Sequence, residues 1–164
     1  MFKFGKKKKE VSHDTSLYAP LQGEIIELEK VADPVFSSKM MGEGYAVEPT
    51  DETIVSPVAG TVIMVQGHAV GIKRFDGLEV LIHLGIDTVS LNGKPFKLKV
   101  KEGDILNGGD VIGKADWSQV KAANLPKTTM ILITNSADLL DMEKFSVIYK
   151  NARVAENIGN AVTK

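Results

Sequence analysis

The sequence predicts an all-β fold: an antiparallel β-sandwich or barrel with one or two short helices. Three observations predict it. From Tyr18 onwards, short runs rich in Val and Ile recur at regular intervals, bounded by Gly, Pro, Asn and Asp, the pattern of strands separated by tight turns. Only two segments read as helical. No linker-like stretch divides the chain, so residues 17–164 are expected to form a single domain behind a flexible basic tail at 1–16.

Taken in order, the expected strands are Gly23–Leu28, Gly44–Pro49, Thr53–Ser56, Gly60–Val65, His68–Phe75, Leu78–Leu84, Phe96–Val100, Val111–Lys114 and Met130–Thr134, with a strand-like run at Phe145–Tyr149. The two helical segments are Trp117–Asn124, with Asp116 as N-cap, and Ala137–Lys144, with Ser136 as N-cap. A short polar side chain there can accept from the free N–H groups of the first turn. Pro126 limits the first helix. Tyr18-Ala19-Pro20-Leu21-Gln22-Gly23-Glu24-Ile25 and Val55-Ser56-Pro57-Val58-Ala59-Gly60-Thr61-Val62 share one turn pattern, a sign of an internal repeat.

Composition narrows the function. The chain has 164 residues, enough for one domain with a real core. Its net charge of −1 makes no case for nucleic acid. It has no cysteine, which excludes disulfide and thiol chemistry and fits a cytoplasmic protein. The run Met1–Lys9 is basic but lacks the apolar stretch of a secretory signal, and Phe2 excludes myristoylation. It reads as a solvated tail, making at most weak peripheral contact with anionic membrane through residues 1–9. His13 lies in this tail and receives no role.

The segment Gly108-Gly-Asp-Val-Ile-Gly113-Lys114 imitates a phosphate-binding loop. Ala115 stands where a hydroxyl would bind magnesium, and no strand directly precedes Gly108, so the match fails. Other Gly-Asp turns are similar to those of biotinyl and lipoyl carrier domains, but no modifiable lysine stands in the required hairpin context.

The informative stretch is Glu79-Val-Leu-Ile-His83-Leu-Gly85-Ile-Asp87-Thr88-Val89, where a histidine interrupts an apolar strand. Asp76-Gly77 upstream predicts a two-residue hairpin turn, since both residues tolerate positive φ. That turn pairs Arg74 with Glu79, Ile72 with Leu81 and Val70 with His83. Period-two alternation then puts His68 on the face of His83 as its diagonal neighbour, roughly 7–8 Å away between Cβ atoms. Gly85 clears space beside the pair.

Two adjacent imidazoles allow two chemistries. With a third ligand, Asp87 being nearest, they could hold zinc, which needs about three protein ligands even in an open site. Alternatively, one neutral imidazole attacks a phosphoryl group and the other donates to the phosphoryl oxygens. The segment Asp33–Gly44 carries Val35, Phe36, Met40 and Met41, which with Val89 could form an apolar docking rim.

These residues together resemble the glucose-family enzyme IIA of the bacterial phosphoenolpyruvate-dependent sugar phosphotransferase system, over about residues 17–150. The motifs are Ala19-Pro20-Leu21-x-Gly23-Glu24, Pro34-Val35-Phe36-x-x-Lys39-Met40-Met41-Gly42-x-Gly44, Pro57-Val58-x-Gly60-Thr61, His68-Ala69 and Val80–Val89. The resemblance implies an antiparallel β-sandwich. It implies a phosphoryl group taken by His83 from the phosphocarrier protein HPr, as tele-phosphohistidine, and passed to a cysteine of a glucose-type IIB domain. His68 would stabilise phospho-His83. It implies that Asp33 and Asp87 meet basic partner groups, that Val35, Phe36, Met40, Met41 and Val89 form the docking rim, and that the Gly85 carbonyl sets the tautomer of His83.

One position departs from the family. Gln66 stands where a Thr often hydrogen-bonds the second histidine, and the longer amide is expected to support His68 instead. No cofactor is implied, and zinc at His68 and His83 would be adventitious or regulatory. Two other readings are a zinc-dependent hydrolase of related fold, which lacks a His-x-His pair and an evident general base, and a regulatory module that binds target proteins through the same rim.

Overall fold

Alternating β-strand burial sets up two covered faces on one large sheet, and the site stands on the smaller of them. The structure is a computed structural model that describes residues 10–164. The basic run and its membrane expectation lie outside the described residues.

Among the described residues fourteen strands occur in chain order: β1 (Ser16–Tyr18), β2 (Gly23–Glu27), β3 (Glu43–Pro49), β4 (Thr53–Val55), β5 (Gly60–Gln66), β6 (Ala69–Lys73), β7 (Glu79–His83), β8 (Phe96–Leu98), β9 (Ile105–Leu106), β10 (Val111–Ala115), β11 (Thr129–Ile133), β12 (Ser146–Val147), β13 (Asn151–Ala152) and β14 (Asn157–Asn160). An eight-stranded sheet runs β13-β2-β3-β11-β7-β6-β5-β9, flanked by three-stranded sheets β4-β10-β8 and β1-β14-β12. Every pairing of these strands is antiparallel. The antiparallel all-β expectation holds, and each of the nine expected strands is present.

On β11, Ile131 and Ile133 join the main core with Tyr45, Val47, Val80 and Ile82. Met130 and Leu132 point to the other face and pack with Leu28, Val31, Phe36, Ala46 and Ile86. The segment after β2 supplies Leu28, Val31 and Phe36, so it roofs part of the second face. Burying that face explains why β11 is buried at every position rather than alternating.

Among the described residues there are three α-helices: α1 (Pro34–Ser37), α2 (Trp117–Ala122) and α3 (Ser136–Leu139). Asp116 caps α2 as expected, its carboxylate accepting from the Ser118 amide. The second expected helix is corrected. Asn135, not Ser136, sits at the cap of α3, and the helix stops before Leu140, which turns extended and bridges to Thr163. The Ser136 hydroxyl instead accepts from the Glu43 amide at 2.9 Å, tying α3 to β3. The helix α1 adds to the two expected ones; Pro34 opens it, and the Asp33 side chain accepts from the Val35 amide.

The tail boundary also moves. Ser16 belongs to β1, the Asp14 carboxylate accepts from the Ser16 amide and the Tyr18 hydroxyl, and His13 stacks on Phe75 with ring centroids 4.7 Å apart. The chain is therefore packed against the fold from His13 onwards.

The β6–β7 hairpin corrects the expected register by one residue. Arg74 donates its amide to the Leu78 carbonyl, so the loop has three residues, Phe75-Asp76-Gly77, with Gly77 at φ +91°. A type of three-residue loop ending in left-handed glycine is the next alternative to the two-residue turn. The ladder pairs Ala69 with His83, Gly71 with Leu81 and Lys73 with Glu79. Val70 and Ile72 consequently face the main core, not the histidine.

Arg74 follows them inward. Its guanidinium is buried, donates to the Ala161 carbonyl at 2.8 Å and pairs with Asp76 at 2.5 Å. Removing one partner of a buried ion pair strands the other charge. Asp76→Ala is expected to lower unfolding free energy by about 3 kcal/mol, read from urea denaturation.

Candidate functional site

His83 is the last residue of β7 and stands on the second face, between Ala69 on β6 and Met130 on β11. His68 lies in the two-residue turn joining β5 to β6, outside the ladder where side chains alternate. The two rings approach edge to face with centroids 4.9 Å apart. The expected pair is real, but the route differs from diagonal cross-strand placement. His68 reaches His83 from a turn whose carbonyl accepts the Leu84 amide at 2.9 Å.

Phe36 packs on the other side of His83 at 5.0 Å between centroids. Phe36 is only 7% exposed, whereas Met40 is 78% and Val89 62% exposed. The apolar rim therefore divides. Val35, Met40, Met41 and Val89 are open to solvent, while Phe36 belongs to the packed floor of the second cluster. A concave region of about 370 Å³ beside the histidines is lined by Met41, Ile63, Met64, Gln66 and Leu81 among others. Ile63 and Met64 were not foreseen as site residues. Alternation from the core-facing Val62 already turns Ile63 outward, and a register shift between Val62 and Met64 brings Met64 opposite Gly71 on the same face; a bulge of this kind leaves no mark in strand alternation.

The Nδ1 of His83 lies 2.9 Å from the Gly85 carbonyl oxygen. A carbonyl only accepts, so Nδ1 carries the hydrogen and the lone pair of the neutral ring is on Nε2. Gly85 meets this need at φ +77°, and a Cβ there would lie 2.4 Å from the Thr88 methyl carbon. Gln66 is exposed and lines the same concavity. Among the described residues no hydrogen bond joins Gln66 to His68; it ends β5, one residue before the turn that carries His68.

Burial pushes the pKa of His83 below the ordinary histidine value, and the neighbouring His68 acts in the same direction. The hydrogen bond to Gly85 and the charges of Asp33 and Asp87 oppose the shift without cancelling it. Burial also lowers the pKa of His68. Both rings are thus biased toward the neutral form near pH 7. Phe36 contributes to the burial. Phe36→Ala is expected to destabilise the fold by about 3 kcal/mol and to raise the pKa of His83 toward that of a free histidine, followed by NMR titration of the ring.

Two histidines with a carbonyl-fixed tautomer, an acidic residue on each flank and an exposed apolar rim suit group transfer between proteins. Among the described residues, no cluster of three or more His, Cys, Asp or Glu is placed to share a metal ion. The sequence matches the family model for the phosphoenolpyruvate-dependent sugar phosphotransferase system, EIIA 1, over residues 15–139.

The chain belongs to that EIIA family.

Relatives of this EIIA chain agree. It is 44% identical over 140 residues to the PTS system glucose-specific EIIA component of Staphylococcus aureus (strain COL), covering 83% of this chain and 84% of the relative. It is 49% identical over 121 residues to the PTS system glucose-specific EIICBA component of Streptococcus pneumoniae serotype 4, covering 73% of this chain and 17% of that longer protein. The fold matches the glucose permease IIA from Mycoplasma capricolum with a TM-score of 0.77 at 30% identity, over 97% of this chain and 98% of that one. As an EIIA component it is a phosphocarrier and a phosphotransferase component of the sugar phosphotransferase system. A zinc-dependent hydrolase finds no support. Among the described residues, no helix is long and apolar enough to cross a membrane.

Proposed function

We propose that His83 is the residue that carries the phosphoryl group, taking it from phospho-HPr and giving it to a IIB cysteine of a glucose-type permease in the cytoplasm. The single observation that carries the reading is the Nδ1–Gly85 carbonyl contact at 2.9 Å. It leaves Nε2 with a lone pair and no proton to lose.

In the forward step the Nε2 lone pair forms a bond to phosphorus as the bond from phosphorus to the donor atom on HPr breaks. In the second step the IIB thiolate attacks phosphorus, and the electron pair of the Nε2–P bond returns to the ring. His83 holds its Nδ1 hydrogen throughout, and the positive charge that builds on the phosphorylated ring is eased by the Gly85 carbonyl. The transition state is loose and charge is spread over the phosphoryl oxygens, so a donor placed beside them lowers the barrier. His68 is that donor. No metal enters these steps, and zinc held between the two rings would occupy the attacking lone pair and inhibit.

Asp33 and Asp87 present negative charge around the site, which suits basic surfaces on both partners. The exposed Val35, Met40, Met41 and Val89 supply apolar contact. Donor and acceptor proteins use this one face in turn, because each must reach the same Nε2. A regulatory target would compete for it.

The test is single-turnover acceptance from phospho-HPr as a function of pH. Attack requires neutral His83, and its pKa lies below the ordinary value. Acceptance is therefore expected to fall on acidification with a midpoint below 6.5, the ordinary histidine pKa. A decline centred above that value would contradict the half-buried, neutral nucleophile. No acceptance at any pH from a competent donor would overturn the reading.

A further inference from the structure

We infer that Thr88 is a positioning residue for phosphoryl transfer, acting through the Gly85 carbonyl on the tautomer of His83. The inference rests on the assignment of His83 as the phosphoryl carrier.

The carbonyl that fixes His83 belongs to a tight turn, not to a strand. Such a turn offers its carbonyl in one direction only if its peptide planes are held. Two hydrogen bonds hold them. The Thr88 hydroxyl donates to the Leu84 carbonyl at 2.5 Å, fixing the peptide that enters Gly85. The Ile86 amide donates to the Pro126 carbonyl at 3.1 Å. That amide and the Gly85 carbonyl are the two ends of one peptide unit, so fixing one end aims the other.

Thr88 is fully buried, with 0% exposure, although Asp87 and Val89 on either side are exposed. Its methyl carbon occupies the space where a Gly85 side chain would lie. Burial of a hydroxyl is unfavourable unless it is bonded, and its bond here goes to the turn rather than to the core. Asp87 adopts a left-handed φ of +61°, an uncommon conformation for a non-glycine residue. It is the conformation that swings Thr88 back under the turn.

The Nδ1–H form is the minority tautomer of a free imidazole. Holding it requires an acceptor that stays aimed at Nδ1. If Thr88 is released, the turn gains freedom, the carbonyl leaves line with the ring, and the fraction of His83 with a lone pair on Nε2 falls. Transfer falls with the competent fraction.

The experiment compares wild type, Thr88→Val and Thr88→Ser by two readouts. The first is the His83 tautomer in the unphosphorylated protein, from two-bond proton–nitrogen NMR correlations. The second is the rate of acceptance from phospho-HPr and the phosphohistidine isomer formed. Valine keeps the buried methyl and loses the hydroxyl; serine does the reverse. Wild type and Thr88→Ser are expected to show the Nδ1–H tautomer and a single Nε2 adduct. Thr88→Val is expected to show a mixed tautomer and acceptance slowed about fivefold to tenfold. A folded Thr88→Val with an unmixed Nδ1–H tautomer and wild-type rate would overturn the inference. If Thr88→Val does not fold, Thr88→Ser decides: a mixed tautomer with the hydroxyl retained assigns Thr88 to packing alone. Absence of any phosphoryl adduct on wild type would sink the carrier assignment instead, while the tautomer comparison would still report on Thr88.

Discussion

His83→Gln is expected to abolish phosphoryl acceptance while leaving the docking surface intact. Glutamine matches the length of the imidazole but has no nucleophilic lone pair of comparable basicity. His68 cannot replace it. Among the described residues no carbonyl bonds either of its ring nitrogens to set one tautomer, and it sits in a turn rather than at the end of a strand. The expected loss is at least about 10⁴-fold in transfer, since covalent catalysis through the side chain is removed outright. Binding of HPr, followed by NMR shift perturbation of the rim, should persist, because Val35, Met40, Met41 and Val89 are untouched. The fold should persist too, because His83 is only half-buried, at the end of β7. Measurable transfer through the variant would mean that another residue carries the group.

His68→Gln is expected to have the second largest effect, and a different one. His83 keeps its Nδ1 contact with Gly85 and so keeps its nucleophile. What is lost is the donor to the phosphoryl oxygens. Removing one preorganised donor from a transition state typically slows a reaction about 10²–10³-fold, and transfer in both directions should fall into that range.

The same geometry predicts a titration signature. Burial lowers the pKa of His68 in the unmodified protein. A phosphoryl group on His83 places negative charge beside a ring whose centroid is 4.9 Å from that of His83. Nearby negative charge favours the protonated imidazole, so the pKa of His68 should rise on phosphorylation. NMR titration of His68 in the phosphorylated and unphosphorylated protein checks this. An unchanged or lowered value would remove His68 from contact with the phosphoryl group.

Much of the fold was legible because the strands obey a short-range rule. Apolar runs bounded by Gly, Pro, Asn and Asp mark β2–β8, β10 and β11. The strand-like run at Phe145–Tyr149 holds the short β12, and the strands that escaped are β1, β9, β13 and β14. They span two to four residues, and β14, Asn-Ile-Gly-Asn, has no apolar alternation to read. Their pairing comes from distant partners, as in the match of Ser16 with Asn160. The helix α1 escaped for a similar reason, although Asp33-Pro34 is a usable start signal.

The site was legible in its residues more than in its geometry. Asp76-Gly77 allows either a two- or a three-residue loop, and the choice moves every side chain of β6 to the other face. The buried Arg74–Asp76 pair accompanies the longer loop, and nothing local to the sequence announces that pairing. His68 still meets His83 because it lies in the next turn, where alternation does not apply. The floor position of Phe36 depends on the second apolar cluster, which forms only when residues 28–36 fold back over β3, β7 and β11. Thr88 looks like one polar residue in a loop until the hydrogen bond to Leu84 is seen.

The most direct test of the carrier assignment is intact-mass analysis of the wild-type chain after incubation with phosphoenolpyruvate, enzyme I and HPr, with phosphorus NMR of the product. The expected result is one acid-labile phosphoryl group, bonded to Nε2 of His83. No adduct in the presence of a competent donor, or an adduct on any other residue, would contradict it.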